Sequence, residues 1–228
     1  MKVYSYSGKG NREKNEDYLI NIQLDSHNSL HIVADGMGGY SYGEIASKAA
    51  TDALVDFILQ NYKESDIVST IQKGILFANE QIALKRTAWL TRLGTTIAGV
   101  FIRENFAYAF WVGDVQIKHF RRNNLLFVSE NHSLVNEMKS NGIVSSKDID
   151  RYKHIVTKSL SGNLLEENLP IIEIHLKPND TIFICSDGFY NSIETSQLIS
   201  KPDSEIDEEL KQLETTNEDN YTMVKIVV

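Results

Sequence analysis

The sequence predicts an α+β fold in which two antiparallel sheets pack together with helices outside them. Three observations carry that expectation. Strand-like runs cluster on either side of a helical pair instead of alternating with helices as a parallel nucleotide-binding sheet would require. From residue 95 onward four apolar runs follow one another across short turns, as antiparallel neighbours do. The 228 residues show no internal repeat, no low-complexity linker and only three prolines, so one domain over residues 1–228 is expected.

Taken in order, residues 2–7 alternate as a strand and stop at the turn cluster Gly8-Lys9-Gly10-Asn11. The polar stretch Arg12–Asp17 leads into a strand over Tyr18–Leu24. Asp25–Ser29 turns the chain into a buried strand, Leu30–Ala34. In Tyr42–Tyr62, Ile45, Ala46, Ala49, Ala50, Ala53, Leu54, Phe57 and Ile58 share one helical face, and its small residues suit close packing on a sheet. A second helix is expected over Ser65–Arg86, capped by Ser65, with Asn79 as a polar interruption of its apolar face. Strands follow at Thr95–Ile102, Phe106–Val112, Val115–Arg121 and Leu125–Val128, read as one meander. Ser133–Ser140 reads as a short helix, Asn141–Lys153 is polar without an assignment, and Lys158–Asn168 is loop. Strands Ile171–Leu176 and Thr181–Cys185 flank the turn Pro178-Asn179-Asp180. Helices over Ser192–Ser200 and Asp203–Thr215, the latter an acidic solvated face, precede a closing strand, Tyr221–Val228.

Composition narrows the function classes. Hydrophobic residues make up 42% and charged ones 24%, as in a globular chain. The net charge of −8 lacks the basic footprint that nucleic-acid or anionic-membrane binding needs. Cys185 is the only cysteine, so no internal disulfide forms, and its apolar run gives it a packing role. No window reaches the length of a membrane span and Met1–Tyr6 lacks a signal peptide's apolar stretch, so the expected location is cytoplasmic.

The chemistry lies where apolar runs deliver acids. Leu30–Ala34 drives into Asp35-Gly36-Met37-Gly38-Gly39, and Thr181–Cys185 drives into Ser186-Asp187-Gly188. Asn15-Glu16-Asp17, Val112-Gly113-Asp114 and Asp219-Asn220 repeat the theme. Any one of these acids alone reads as a turn residue or helix cap. Converging together they would repel strongly unless cations lay among them. Oxygen donors without Cys or His pairs favour Mg²⁺ or Mn²⁺ over zinc.

In order, Gly10-x-Arg12-x-x-Asn15-Glu16-Asp17, Asp35-Gly36-Met37-Gly38-Gly39, Leu93-Gly94-Thr95-Thr96, Val112-Gly113-Asp114, Ser186-Asp187-Gly188 and Asp219-Asn220-Tyr221-Thr222 resemble the type 2C metal-dependent Ser/Thr protein phosphatases, the PPM family, in their compact bacterial form. The resemblance spans essentially the whole chain. It implies a four-layer α-β-β-α sandwich, with a flap-like segment at about 142–169 beside the site. It implies hydrolysis of phosphoserine and phosphothreonine in phosphoproteins by a metal-bridging hydroxide, without a phosphoenzyme. Asp35 would bridge two Mn²⁺ or Mg²⁺ ions, the Gly36 carbonyl would add a ligand, and Asp187 and Asp219 would hold the second ion. Glu16 and Asp17 would support the cluster directly or through water, and Arg12 would grip the phosphate with its fork of donors. Phosphorylated proteins and a partner Ser/Thr kinase are the implied partners, with a monomer as the default. The alternative is a weakly active or non-catalytic phosphoprotein-binding regulatory module of the same fold.

Several positions depart from the family pattern. Met37 stands where many eukaryotic relatives carry a histidine, leaving the general acid unassigned. His132, in Asn131-His132-Ser133, reads as a loop histidine with a structural hydrogen bond. Asp114 matches a residue of a third, weaker metal site, but Asn191 replaces an acid found there in some relatives, and Val115-Gln116 differs from the usual Ser-Arg. A third ion is therefore expected to bind weakly or not at all.

Overall fold

The computed structural model describes residues 1–37, 42–63, 66–86, 93–142, 145, 149, 151–152, 154–166 and 168–228. Among these, ten strands form two five-stranded sheets in which every pair is antiparallel. One sheet runs β1 (Lys2–Gly8), β10 (Tyr221–Val227), β9 (Asp180–Cys185), β6 (Gln116–Arg121), β7 (Asn124–Val128). The other runs β2 (Asp17–Gln23), β3 (Asn28–Gly36), β4 (Thr95–Arg103), β5 (Phe106–Val112), β8 (Ile171–His175).

Strand alternation sorts the apolar residues into three cores. Val33, Ala98, Val100 and Trp111 meet Ile117, Ile182, Ile184, Val224 and Ile226 between the sheets. Ile32, Ala34, Phe101 and Phe110 face outward onto α1 (Gly43–Asn61) and α2 (Ile67–Lys85). After α3 (Leu134–Ser140), the other outer face is covered by α4 (Asp187–Tyr190) and α5 (Asp203–Leu213). There Phe183, Cys185, Tyr221 and Met223 pack on Phe189, Ile206 and Leu210. The result is the four-layer α-β-β-α sandwich. Burying a side chain such as Phe183 or Leu54 fully contributes about 1.5–3 kcal/mol.

Three expectations are corrected. The run of strands from residue 95 is not one meander. Val112 pairs with Ile97 in one sheet whereas Gln116 pairs with Cys185 in the other, so Gly113–Val115 carry the chain across the sandwich. Short spacing reports that strands are neighbours, not that they share a sheet. The second helix is capped by Asp66, whose side chain accepts from the Ser69 N–H; Ser65 lies outside the described residues. The helix expected over Ser192–Ser200 is a 3-10 turn, Thr195–Leu198, because Glu194 caps a fresh turn by accepting from the Ser196 N–H. Helical backbone starts earlier, at Asp187.

Other elements follow their patterns. Ser133 caps α3 by accepting from the Asn136 N–H. Cys185 is buried and its thiol is pushed well above the usual range by desolvation, consistent with packing. The acidic helix α5 is more committed than a solvated face: Asp207 accepts from the Tyr4 hydroxyl at 2.6 Å, and Ile206 and Leu210 are buried.

Candidate active site

Asp35, Asp187, Asp219, Asp114, Glu16 and Asp17 all lie at the same end of the sandwich. Register does much of the placing. Asp17 opens β2 directly opposite Asp35 at the end of β3, and Asp35 faces Thr96 at the start of β4. Asp35 shares the alternation of Val33, so it points toward the second sheet. From that sheet come Asp187, just past β9, Asp219, just before β10, and Asp114, just before β6.

The glycines after Asp35 and Asp187 permit backbone to approach backbone. A Cβ on Gly36 would lie 2.3 Å from the Gly43 carbonyl oxygen, and one on Gly188 would lie 2.1 Å from that of Asn220. Both approaches seat a following helix, α1 or α4, against the strand end.

Asp35, Gly36, Asp187, Asp219, Glu16, Asp114 and Arg12 line one cavity of about 310 Å³, together with Met37, Thr96, His154, Val156 and Asn220. Asp17 does not line it but is buried behind it. Its Oδ2 accepts from the Ser186 hydroxyl at 2.8 Å, while its Oδ1 is buried with no hydrogen-bond partner. A larger hollow of about 790 Å³ at the opposite end of the sandwich contains Asp25, but that carboxylate is committed to a turn through the His27 and Asn28 N–H groups.

Electrostatics mark the carboxylates as a group. Burial pushes Asp17 up to about 7, helped by Asp187 and Asp219 and opposed by hydrogen bonds from Thr222 and Ser186. Burial, then Asp17 and Asp187, raise Asp35 well above the carboxylate range. Asp114 is raised to about 6, chiefly by burial and then by Asp187. Asp187 is raised by burial and by Asp219. Glu16 is raised by burial against the Gly43 N–H that its Oε1 accepts at 3.1 Å.

Like charges opposite each other across a ladder destabilise it, and a buried acceptor without a partner costs about 1–3 kcal/mol. Hard divalent cations would relieve both, and the oxygen-only donors suit Mg²⁺ or Mn²⁺. The residues therefore fit such ions. Among the described residues, no three His, Cys, Asp or Glu side chains already stand as a closed ligand set.

The family model described as Protein phosphatase 2C matches residues 7–225. The chain belongs to the protein phosphatase 2C family. Serine/threonine phosphatase stp of Listeria monocytogenes serotype 4b is 28% identical over 218 residues, covering 91% of this chain and 81% of the relative. Protein phosphatase PhpP of Streptococcus pneumoniae is 28% identical over 195 residues, covering 82% of this chain and 78% of the relative. The catalytic domain of PstP, crystallised with two manganese ions, superposes with a TM-score of 0.81 at 22% identity, covering 100% of this chain and 98% of that one. The serine/threonine phosphatase of S. agalactiae gives 0.82 at 24%, covering 100% and 99%. These two structures establish the fold.

In this protein phosphatase 2C chain Arg12 does not stand free as a solvated cation. Its Nη2 donates to Asp219 Oδ2 at 2.8 Å and its Nε to the Glu218 carbonyl at 3.1 Å. Asn220 ties the loop carrying Arg12 and Glu16 to the start of β10. Its Oδ1 accepts from the Glu16 N–H, and its Nδ2 donates to the Lys9 and Lys14 carbonyls. Thr95 is structural, with its hydroxyl donating to the Asp35 carbonyl at 2.8 Å. His132 accepts the Gly113 N–H on Nδ1 at 3.0 Å, the structural hydrogen bond expected of it. Asn191 is exposed at the end of α4 and does not line the cavity. Gly38 and Gly39 lie outside the described residues.

Sequence reading missed two contributors to the cavity, His154 and Val156. They sit just past the polar stretch Asn141–Lys153, in residues given no assignment, so only the fold brings them to the cavity. Asn220 was visible solely as the neighbour of Asp219.

Proposed function

We infer that the protein is a protein-serine/threonine phosphatase that hydrolyses phosphoserine and phosphothreonine in phosphoproteins with two divalent ions, Mn²⁺ or Mg²⁺. The observation that carries this reading is the set of half-buried, mutually repelling carboxylates converging on one cavity beside an arginine. Family membership supplies the reaction class, and the relatives named as serine/threonine phosphatases support the substrate class.

Asp35 and the Gly36 carbonyl would hold the first ion, and Asp35 would contribute to both. Asp187 and Asp219 would hold the second, with Glu16 and Asp17 in support. When bound, such ions generate a nucleophilic water near neutral pH and offset charge on the phosphoryl group. Arg12, at the cavity rim, binds and orients the phosphate, for which its planar fork of donors is suited. Ser186 fixes Asp17, and Asn220 holds the loop that presents Arg12 and Glu16.

Asp114 lines the cavity without help from Asn191, so a third ion there would be weakly held. Residues 1–228 are read as one catalytic domain, with residues 142–169 as a flap that influences substrate choice. The wider setting proposed is cytoplasmic, as a monomer opposing a Ser/Thr kinase. Among the described residues no helix is long and apolar enough to cross a membrane.

Mn²⁺ titration by calorimetry tests the assignment apart from turnover. Asp187→Asn is expected to weaken binding of one ion by roughly tenfold or more, since it removes a carboxylate charge from a hard-cation site. Unchanged affinity would remove Asp187 from the site.

A further inference from the structure

Phosphoester hydrolysis at this site leaves one proton unassigned. The seryl or threonyl oxygen needs protonation as its bond to phosphorus breaks, because an alkoxide is a poor leaving group. Asp35, Asp187, Asp219 and Glu16 are assigned to cations, Asp114 stands among them as a weaker cation ligand, and Arg12 is engaged with Asp219 and the Glu218 carbonyl. Thr96, Asn220, Met37 and Val156 do not titrate near neutral pH. Outside that carboxylate cluster, the described lining residue able to donate a proton is His154, an imidazole.

We propose that His154 is the general acid of this phosphatase, placed by a backbone clasp over the cavity to protonate the leaving oxygen. The proposal rests on the phosphatase reading above. The clasp is formed by the backbone of residues 132–134 against that of residues 155–157. Val156 bridges to Ser133, the Leu134 N–H donates to the Ile155 carbonyl at 2.9 Å, and the Thr157 N–H donates to the His132 carbonyl at 2.9 Å. The Ile155 N–H donates back to the Tyr152 carbonyl at 3.0 Å, so the backbone turns across His154 itself.

The other half of the clasp is tied to the sandwich. The His132 N–H donates to the Gly113 carbonyl, and the Gly113 N–H returns a bond to His132 Nδ1. Gly113 precedes Asp114, a wall of the same cavity. His154 is thus carried on a short hydrogen-bonded path from the carboxylate end of the sheets. It is exposed, so it can be recharged from solvent. His132 is excluded as the donor, because it is half-buried, its Nδ1 accepts the Gly113 N–H, and it does not line the cavity.

The step balances as follows. Water forms the new bond to phosphorus and releases one proton to solvent. The bond from phosphorus to the seryl or threonyl oxygen breaks, and its electron pair stays on that oxygen. His154, as imidazolium, transfers a proton to it, giving the neutral alcohol and inorganic phosphate. The neutral imidazole then takes a proton from solvent, and one water has been consumed.

The test compares His154→Gln with the wild type on a phosphothreonine peptide and on p-nitrophenyl phosphate, whose leaving group departs without protonation. On the peptide kcat is expected to fall about 10²–10⁴-fold, and on the aryl ester by less than roughly tenfold. The alkaline limb of the peptide kcat–pH profile should disappear in the variant. Mn²⁺ affinity, measured by calorimetry, should stay unchanged. Equal losses on both substrates, no loss on the peptide, or a fall in Mn²⁺ affinity would overturn the proposal. A wild type that releases phosphate from neither substrate would instead overturn the phosphatase reading, and the proposal with it.

Discussion

Arg12 and Asp219 share one contact although they are assigned to different partners, a phosphate and a cation. The pair is 46% and 40% exposed at the side chains, so water screens it and its worth stays within about 1 kcal/mol. Removing the guanidinium therefore has two opposed consequences. Arg12→Ala should raise KM for a phosphopeptide by roughly tenfold or more, through loss of the bidentate phosphate contact. It should also tighten Mn²⁺ binding by up to about fivefold, because a competing cation leaves Asp219. Steady-state kinetics and calorimetry read the two separately, and an unchanged KM would remove Arg12 from the phosphate site. At Gly188 the limit is steric. A Cβ would sit 2.1 Å from the Asn220 carbonyl oxygen, and backbone cannot swing aside as a side chain can. Gly188→Ala should cost about 2 kcal/mol or more in denaturant unfolding. Wild-type stability in that variant would show that the approach relaxes freely. Asp35 and Asp187 were legible in the sequence because an apolar run ending in Asp-Gly is a local signal. The worth of Asn220 was not, since its partners Lys9, Lys14 and Glu16 lie more than two hundred residues away in the chain.

At the scale of elements, the end of the sandwich opposite the site is held by a buried ion cluster. Asp180 opens β9 and accepts from Arg121 Nε at 2.7 Å and Nη2 at 2.8 Å, with His119 Nε2 3.0 Å away. Arg121 and the Lys177 N–H hold the Asp180 carboxyl down at about 2 despite its burial. Removing one partner of a fully buried pair costs about 3–5 kcal/mol. Arg121 is 32% exposed, so about 2 kcal/mol is the expected loss for Asp180→Asn, read from denaturant midpoints. A loss below about 0.5 kcal/mol would mean that water already satisfies Arg121. Strands such as β5 were legible to the residue because their apolar runs end abruptly. The crossing at Gly113–Val115 was not, because a three-residue connector looks alike within a sheet and between sheets. Asn79 shows the same limit on a helix. In sequence it only interrupts an apolar face, whereas in the fold its Oδ1 accepts from the Ser161 and Gly162 N–H groups and pins that loop to α2.

Across the whole molecule, the layer order was legible from the grouping of strands and helices, and three cores account for it. What periodicity could not show is which buried polar groups make stability depend on pH. His31 in β3 is buried, with Nδ1 2.8 Å from Asn21 Oδ1 and Nε2 3.0 Å from Ser29 Oγ. Desolvation lowers it from 6.5 to about 4. The unfolded chain therefore binds more protons than the folded one in that window. Its contribution is fully present above pH 6.5 and is lost as the pH falls toward about 4. His31→Gln should flatten that part of the stability–pH curve in denaturant titrations. An unchanged slope would assign the loss to other groups.

The most direct test of the central claim is phosphate release from a phosphothreonine peptide by metal-stripped protein, with Mn²⁺ or Mg²⁺ titrated back and Asp187→Asn alongside. Release that appears only with added metal, and falls by at least roughly tenfold in Asp187→Asn, is the result predicted. No release at saturating metal, in protein that calorimetry shows to bind the metal, would contradict it.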